Sequence, residues 1–332
     1  MPQALLVMTE STYRLQFGDE QLTRLRSLVT LGDPVAVTDL DAPEVRRRLA
    51  EVDAVITSWG APALTAEVLD AAPKLGLVAH AAGSVRGIVT DSVHARGVTV
   101  TTAADVNAVP VAEFALAAVI MAGKKAPFLA RRGPAAPWPD AAARARLGNR
   151  GRRIGVVGFS RTGRALMERL RILEPAEILV ADPYADETQV AALGGQLAGL
   201  DETLAGSEIL SLHAPALPAT RRMIGARELA LMPDGATLIN TARGALLDHE
   251  ALAAEAVTGR IDAILDVTDP EPLPADSPLH ALENVVITPH IAGSLGEEAR
   301  RMSDHAIDEL GRWLAGEPLV GRLDPDVAAL TA

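Results

Sequence analysis

Three polar side chains with complementary chemistry each follow a short apolar run in the second half of the chain: Arg243, Glu271 and His290. A guanidinium binds carboxylates, an imidazole transfers protons near neutral pH, and a carboxylate orients an imidazole and favours its charged form. Each of these residues alone is more often a surface or capping residue. Because open α/β sheets bind ligands at the carboxyl ends of their strands, the three together predict a catalytic site for a small anionic substrate.

A glycine turn lies between a buried-strand pattern and a helical pattern, over Gly158-Phe159-Ser160-Arg161-Thr162-Gly163. Gly158 permits a tight turn, and the start of the helix offers free N–H groups and a positive dipole end to a pyrophosphate. The middle position of the dinucleotide fingerprint holds Ser160 instead of glycine. Its hydroxyl either adds a hydrogen bond or is merely tolerated.

An aspartate at the end of the next strand pattern, Asp182, follows 19 residues after Gly163. A carboxylate at this place accepts hydrogen bonds from the ribose hydroxyls of adenosine and repels a 2′-phosphate. Glycine turns and strand-end aspartates also occur singly in ordinary βα units. Their combination, in the order strand, turn, helix and acid, predicts a dinucleotide site that favours NAD over NADP.

Short apolar runs alternate with helical stretches along the whole chain, which is the pattern of parallel strands joined by crossover helices. The runs are Ala4–Met8, Val35–Asp39, Asp53–Thr57, Leu75–Ala79, Val98–Thr101, Arg153–Val157, Ile178–Ala181, Glu208–His213, Thr237–Thr241, Asp262–Val267 and Val285–Thr288. The alternation predicts an α/β protein with two doubly wound parallel sheets.

The segments between these runs are assigned to helices, turns and irregular structure from the positions of their prolines and glycines and the spacing of their apolar residues. A helix is expected over Pro110–Lys125 with the proline in its first turn, and another over Glu297–Leu314. Gly32-Asp33-Pro34 indicates a turn. Ala126–Gly151 is rich in proline and arginine and indicates an irregular arm.

The amino-acid composition of the chain excludes or disfavours several classes of function. The 332 residues, 48% of them hydrophobic, are enough for about two globular domains. A net charge of −12 disfavours binding to nucleic acid or to an anionic membrane. The chain has no cysteine, which excludes disulfides, iron–sulfur clusters and thiolate zinc sites, and its histidines show no metal-ligand spacing, so we expect no metal.

Two features of the sequence bear on location. The first residues have neither a basic start nor an apolar stretch of signal-peptide length. The longest apolar run, Phe114–Gly123, is about half of the roughly 20 residues that a membrane span needs. We therefore expect a cytoplasmic protein that does not enter a membrane.

Several segments, taken in order, resemble the signature segments of the NAD-dependent D-isomer-specific 2-hydroxyacid dehydrogenases. They are the glycine turn, Ile239–Leu252, Leu265–Leu279 and Asn284–Ser294, with Ala79–Val89 similar to the family's substrate loop and Asn107–Leu116 to its entry into the cofactor domain. The resemblance implies a flavodoxin-like substrate domain (residues 1–103 and 293–332) and a Rossmann NAD-binding domain (residues 104–292) inserted into it. It also implies a cleft between the two domains.

The resemblance implies a role for each matching residue. Arg243 holds the substrate carboxylate and polarises the C2 carbonyl, His290 donates or accepts the proton, and Glu271 pairs with His290. Backbone amides around Gly83, Ser84 and Val85 complete the carboxylate site. Asp266 holds the nicotinamide carboxamide, and the residues implied to bind NAD are Gly158, Ser160, Arg161, Thr162, Gly163, Asp182, His213, Ala214, Pro215, Thr241, Ala242, Asp266, His290 and Gly293.

Two residues of the implied substrate region each have two interpretations. Arg86 either meets a second anionic group on the substrate or is a solvated surface arginine. Trp59 either shapes the mouth of the substrate site or is ordinary packing. The chain also departs from the family at Thr268-Asp269, where an aromatic residue and an acid are usual.

The implied reaction is hydride transfer between C4 of the nicotinamide and C2 of a small 2-oxo or 2-hydroxy acid. Two other functions stay open: an NAD(H)-sensing regulatory protein, since corepressors that resemble this family keep the same three residues, and a phosphite dehydrogenase, which shares them too. Formate-oxidising relatives pair their histidine with glutamine, unlike Glu271. The resemblance further implies a homodimer built on the cofactor domains.

Overall fold

The computed structural model describes residues 1–133 and 137–324, which form two compact units. Unit 1 consists of Met1–Ala108 and the described residues from Ser294 onward, and unit 2 is Val109–Gly293. Strands are numbered β1 to β12 and helices α1 to α14 along the chain.

Unit 1 is built on a five-stranded parallel sheet of order β2-β1-β3-β4-β5, the flavodoxin order. Its strands are β1 (Gln3–Val7), β2 (Thr30–Val37), β3 (Ala54–Thr57), β4 (Leu77–His80) and β5 (Thr99–Thr102). Its helices are α1 (Glu10–Gln16), α2 (Asp19–Leu28), α3 (Pro43–Leu49), α4 (Ala66–Asp70), α5 (Asp91–Ala95) and α14 (Glu298–Ala315).

Unit 2 is built on a seven-stranded parallel sheet of order β12-β11-β10-β9-β6-β7-β8, which contains the Rossmann order. Its strands are β6 (Arg153–Val157), β7 (Glu177–Ala181), β8 (Gln196–Leu197), β9 (Ile209–Leu212), β10 (Thr237–Asn240), β11 (Asp262–Leu265) and β12 (Val285–Ile287). Its helices are α6 (Ala104–Gly123, which begins in unit 1), α7 (Ala126–Arg131), α8 (Ala141–Ala145), α9 (Arg161–Leu170), α10 (Glu187–Ala192), α11 (Leu200–Gly206), α12 (Ala226–Leu231) and α13 (His249–Ala256).

The prediction of two doubly wound parallel sheets is confirmed, and the strand sequences explain why. Along β1, Leu5 and Val7 pack into the core on one face of the sheet, whereas Ala4 and Leu6 pack into the core on the other. Both faces of a parallel sheet are covered by crossover helices, so its strands are apolar at every position rather than at alternate ones.

Strand bounds differ from the predicted ones by a few residues, and one difference has a clear cause. Gly32-Asp33-Pro34 was predicted as a turn but lies inside β2. The register of β2 against β1 jumps from Ala4↔Leu31 to Leu6↔Ala36, so the proline lies in a bulge where the ladder does not need its missing N–H. The two-residue strand β8 was not predicted because it is too short to show any periodicity.

The predicted start of helix α6 was wrong. The helix begins at Ala104, so Pro110 lies inside it rather than in its first turn. The helix has 20 residues, and a window of 18 of them has a mean hydropathy of 1.8, so α6 is long and apolar enough to cross a membrane, contrary to the length expected from the sequence. Core helices have the same composition, and Ala112, Ala115 and Val119 pack in the core of unit 2.

The predicted irregular arm over Ala126–Gly151 is partly helical, because α7 and α8 both lie in it. Residues 134–136 of that arm lie outside the described residues.

Candidate active site

The glycine turn joins β6 to α9 in unit 2 and needs its glycines. Gly158 has a φ of +102°, and a Cβ there would lie 2.4 Å from the backbone N of Ala214. A Cβ on Gly163 would lie 2.2 Å from the carbonyl oxygen of Gly158. Side chains at these positions would push the helix away from the turn, so the two glycines hold the N-terminus of α9 close to the strand end.

The hydroxyl of Ser160 forms a hydrogen bond within the turn. Ser160 is the N-cap of α9, and its Oγ accepts a hydrogen bond of 3.3 Å from the backbone N of Gly163. Arg161 and Thr162 follow it in the first turn of the helix. Of the two interpretations of Ser160, the structure therefore gives its hydroxyl a structural hydrogen bond.

Asp182 lies at the end of β7, beside the glycine turn. One carboxylate oxygen accepts a hydrogen bond of 2.7 Å from the backbone N of Phe159, and the other accepts one of 2.9 Å from the backbone N of Tyr184. A cavity of about 280 Å³ opens here, lined by Phe159, Arg164, Asp182, Tyr184, Ala185, Asp186 and Gln189. The backbone fixes the carboxylate at the wall of a cavity beside the helix N-terminus, which suits the ribose of adenosine.

The segment His213-Ala214-Pro215 follows β9 on the same edge of the sheet. The backbone N of His213 donates to the carbonyl of Val157, and its side chain is fully buried, with Nε2 2.8 Å from Oγ of Ser211. Its Nδ1 has no hydrogen-bond partner among the described residues. A buried polar atom without a partner marks a place where a ligand can supply one.

Burial lowers the pKa of His213 to about 4, which makes stability depend on pH. An unfolded histidine titrates near 6.5, so between the two values the unfolded chain binds a proton that the folded chain excludes. The contribution is complete above about pH 6.5 and is lost as the pH falls toward about 4. We expect the free energy of unfolding in urea to fall from pH 7 to pH 5 by about 2 kcal/mol less in His213→Gln than in the unchanged protein.

His280 provides the matched control for this measurement, because it is an exposed histidine of the same unit. His280→Gln is expected to leave the difference between pH 7 and pH 5 as it is. An equal acid destabilisation in His213→Gln and the unchanged protein contradicts the role assigned to His213.

Arg243 stands at the end of a turn that the side chain of Asn240 closes. The Nδ2 of Asn240 donates to the carbonyl of Arg243 at 2.9 Å, and its Oδ1 accepts from the backbone N of Ala242 at 3.1 Å. Asn240 is fully buried and Arg243 is exposed. Thr241, between them, keeps a buried Oγ1 without a hydrogen-bond partner among the described residues.

Gly244 brings this turn against the loop that carries Glu271. A Cβ on Gly244 would lie 2.0 Å from the carbonyl carbon and oxygen of Thr268. No other residue type fits at this distance, so the two backbones touch only because position 244 is glycine. The ends of β10 and β11 are therefore fixed relative to each other, and Arg243 and Glu271 follow them.

His290 and Glu271 form a direct pair. The Nδ1 of His290 lies 2.7 Å from Oε1 of Glu271, and their side chains are 52% and 43% exposed. His290 has a φ of +53°, a left-handed conformation that is unfavourable for a residue with a side chain. Contacts with neighbouring residues must stabilise this strained conformation of His290.

Asp266, at the end of β11, holds this strained segment. Its buried carboxylate accepts three hydrogen bonds: from Oγ1 of Thr288 at 2.5 Å, from the backbone N of Ile291 at 2.9 Å and from the backbone N of Ala292 at 2.8 Å. Its backbone carbonyl also accepts from the N of His290 at 2.9 Å. Asp266 thus fixes the backbone on both sides of His290, a role that the sequence did not indicate.

The substrate residues expected from the resemblance lie in unit 1, after β3 and β4. The backbone N–H groups of Gly83, Ser84 and Val85 have no acceptor among the described residues, which leaves them available to a ligand. Arg86 is exposed, and its backbone N donates to Oγ of Ser84 at 3.3 Å. Trp59 is 38% exposed and is not part of the core.

Asn107 is a further residue that the sequence did not single out. Its Oδ1 accepts a hydrogen bond of 3.2 Å from the backbone N of Ser294, the first residue of unit 1 after unit 2 ends at Gly293. Its Nδ2 lies 3.5 Å from the position that a Cβ on Gly83 would take. One side chain therefore links the amide turn to the point where the chain re-enters unit 1.

Unit 2 thus brings the candidate catalytic residues to one edge of its sheet, because β10, β11 and β12 are parallel neighbours and Arg243, Glu271 and His290 follow their carboxyl ends. The glycine turn, Asp182 and His213 lie at the same edge, after β6, β7 and β9. Within residues 1–133 and 137–324 there is no group of three acidic or histidine side chains that could hold a metal ion.

Comparison with known proteins gives a consistent result. Residues 116–292 match the family described as D-isomer specific 2-hydroxyacid dehydrogenase, NAD binding domain. A D-3-phosphoglycerate dehydrogenase from Mycobacterium tuberculosis is 36% identical over 304 residues, which are 88% of this chain and 55% of that protein. A glyoxylate reductase from Korarchaeum cryptofilum is 34% identical over 274 residues, covering 81% of this chain and 82% of the relative.

Among solved structures, a phosphoglycerate oxidoreductase from Rhizobium etli has a TM-score of 0.82 and 25% identity, with 98% of this chain and 99% of that one covered. The chain spans about half the length of the phosphoglycerate dehydrogenases that it matches.

Proposed function

Since the chain belongs to the D-isomer specific 2-hydroxyacid dehydrogenase family, we propose that it is an NAD(H)-dependent oxidoreductase that interconverts a small 2-oxo acid and its 2-hydroxy acid. The observation that carries this proposal is the 2.7 Å pair of His290 and Glu271 at the sheet edge that also holds Arg243 and the glycine turn.

The residues of unit 2 fit NAD(H). The glycine turn keeps the N-terminus of α9 open to a pyrophosphate, and the cavity beside Asp182 suits the adenosine ribose. The buried Oγ1 of Thr241 and Nδ1 of His213 lack partners among the described residues, and both lie at the same edge of the sheet. When bound there, NAD(H) would supply the hydride for reduction at C2 of the substrate, or accept it in oxidation.

His290 moves the proton. Because Nδ1 is bonded to Glu271, Nε2 is the nitrogen left for the oxygen on C2 of the substrate. It donates a proton to that oxygen during reduction and accepts one during oxidation. The carboxylate of Glu271 fixes the orientation of the ring and balances its positive charge when both nitrogens carry a proton.

Arg243 binds the carboxylate of the substrate and stabilises the charge that develops on the reacting oxygen. A guanidinium offers paired donors to a carboxylate, and its exposure at the end of β10 leaves it accessible to a small anion.

A panel of 2-oxo acids tests the proposal, with NADH oxidation followed by absorbance. We expect turnover of at least one of glyoxylate, pyruvate, hydroxypyruvate or a 2-oxo acid with a longer side chain. Adding acids with a second phosphate or carboxylate group tests Arg86. NADH binding without turnover of any member favours the regulatory function, and NAD reduction by phosphite alone favours a phosphite dehydrogenase.

The homodimer expected from the resemblance stays a prediction. Two exposed apolar side chains of unit 2 are in keeping with it: Met121 on α6 and Trp138 in the arm.

A further inference from the structure

Thr268 is a buried residue close to the proposed catalytic pair that the proposed reaction does not use. It lies in the loop after β11, three residues before Glu271, and is 7% exposed. Its Oγ1 donates a hydrogen bond of 2.8 Å to the carbonyl of Pro270. The hydroxyl therefore bonds to the residue directly before Glu271.

Packing does not hold the side chain of Glu271 in place. The side chain is 43% exposed, and its one hydrogen bond to a described residue is the bond of 2.7 Å to Nδ1 of His290, which is itself 52% exposed. A single bond between two half-exposed side chains does not fix where either of them lies. The position of Glu271 therefore depends on the backbone that carries it.

The backbone around Glu271 has few constraints of its own. Among residues 1–133 and 137–324, the backbone groups of residues 269–271 make one hydrogen bond, which the carbonyl of Pro270 accepts from Thr268. This carbonyl and the N–H of Glu271 belong to the same planar peptide group, so a bond that fixes the carbonyl also fixes the plane in which the chain enters Glu271. Thr268 thus orients the peptide group next to the Glu271 side chain.

Thr268 is itself held firmly. A Cβ on Gly244 would lie 2.0 Å from the carbonyl carbon and oxygen of Thr268, so the backbone of Thr268 is in close contact with the turn that carries Arg243. Because its side chain is buried, water cannot readily replace the bond to Pro270. The hydroxyl therefore connects Glu271 to a part of unit 2 that is already fixed.

The loop has a second contact, an ion pair between Asp269 and Arg221, which is the weaker constraint. The two charged groups lie 3.3 Å apart, and the side chains are 35% and 58% exposed. Water and salt screen an exposed ion pair, so it contributes little. The buried hydrogen bond of Thr268 is the stronger constraint on the loop.

We propose that Thr268 is a positioning residue: its hydroxyl orients the Pro270–Glu271 peptide and so holds the carboxylate of Glu271 at Nδ1 of His290. The inference rests on the proposed function for the step that it affects, which is proton transfer by His290. Thr268 neither donates nor accepts that proton.

Thr268→Val tests the inference, because it replaces the hydroxyl by a methyl group of nearly the same size. We expect kcat for reduction of the 2-oxo acid to fall about tenfold, with KM within about threefold, because the imidazole is oriented correctly in a smaller fraction of molecules. Thr268→Ser keeps the hydroxyl and is expected to restore most of kcat. Both constants are measured by NADH oxidation.

A double-mutant cycle separates positioning of Glu271 from general damage to the loop. If Thr268 acts through Glu271, Thr268→Val lowers kcat in the unchanged protein but changes it less than about twofold in Glu271→Ala, which has no carboxylate to hold. An equal loss of kcat in both backgrounds shows a merely structural role and overturns the inference.

Thr258 supplies the matched control. Its hydroxyl also donates to a nearby backbone carbonyl, that of Glu255, at 2.7 Å, but Thr258 lies before β11 and Thr268 lies after it. Thr258→Val should leave kcat unchanged. If Thr268→Val does not fold, Thr268→Cys takes its place with the same expected loss, since a thiol of similar size is only a weak donor.

The ring nitrogens of His290 give a readout that needs no turnover. Their magnetic resonance signals, from isotope-labelled histidine, are identified by their loss in His290→Ala. Glu271→Ala shows where the signals lie when Nδ1 has lost its carboxylate. Thr268→Val is expected to move the signals toward that position, and Thr268→Ser to leave them in place.

The two measurements distinguish failure of the inference from failure of the proposed function. Turnover by the unchanged protein, with equal kcat and unmoved signals in Thr268→Val, overturns the inference and leaves the proposed function standing. No turnover of any 2-oxo acid, with moved signals in Thr268→Val, supports the inference and counts against the function. No turnover and unmoved signals overturn both.

Discussion

His290→Ala is expected to lower kcat for reduction of the 2-oxo acid by about 10²–10⁴-fold, the usual cost of losing a general acid. The variant removes the nitrogen that is proposed to protonate the oxygen on C2, and it leaves Glu271 without its His290 partner. Because both side chains are about half exposed, Glu271 regains water as a partner and stability should change little. The measurement is kcat by NADH oxidation, together with NADH affinity by fluorescence.

Glu271→Gln is the companion variant, since its amide keeps a hydrogen bond to Nδ1 of His290 but carries no charge. A smaller loss of kcat than in His290→Ala is expected, because the hydrogen bond that orients the ring survives while the negative charge beside it does not. A kcat within about threefold of the unchanged protein in His290→Ala shows that another group donates the proton, and the assignment of His290 is then wrong.

Asp266→Asn is expected to lower the free energy of unfolding by about 3 kcal/mol and kcat by about a hundredfold. Both carboxylate oxygens accept hydrogen bonds from backbone N–H groups, Oδ1 from Ile291 and Oδ2 from Ala292. Either orientation of the asparagine amide therefore turns its NH₂ group against one of these donors. The segment that holds His290 in its left-handed conformation loses its anchor, so stability and kcat fall together.

Asp248→Ala is the matched control for Asp266→Asn. Asp248 is also a carboxylate in unit 2 that accepts two backbone N–H bonds, from Glu250 and Ala251, but it caps α13 and does not touch the segment of His290. A loss of about 1 kcal/mol with nearly unchanged kcat is expected, which is typical of a lost helix cap. Equal losses of kcat in the two variants, measured well below their unfolding temperatures, would show that the effect of Asp266 is only one of stability.

Much of the fold could be predicted from the sequence, because parallel strands buried on both faces are apolar at every position and are separated by stretches of helix length. The structure differs from these predictions at two prolines, each of which is a local signal for a turn or for the start of a helix. The bulge that takes Pro34 out of the β2 ladder depends on the register against β1, and α6 begins at Ala104, so Pro110 does not mark its first turn.

The candidate site also contains some residues that could be recognised from the sequence and others that could not. Arg243, Glu271 and His290 could be recognised from their residue types after strand patterns, since topology brings the ends of parallel strands to one edge. The residues that fix the positions of these three side chains could not be recognised from the sequence. From the sequence, Asn240 is an ordinary strand-end residue and Gly244 an ordinary loop glycine, and Asp266 is implied only to bind the nicotinamide; their structural roles depend on the backbones that they contact.

The sequence by itself determined the class of fold, the family and the chemical groups available, because apolar periodicity and the order of short motifs are properties of the chain alone. Only the tertiary structure decided which residues contact each other around these groups: Gly244 and Thr268, Asp266 and its three hydrogen-bond donors, and the buried pair of Thr57 and His80. Each of these joins residues more than twenty positions apart, at distances that local sequence does not set.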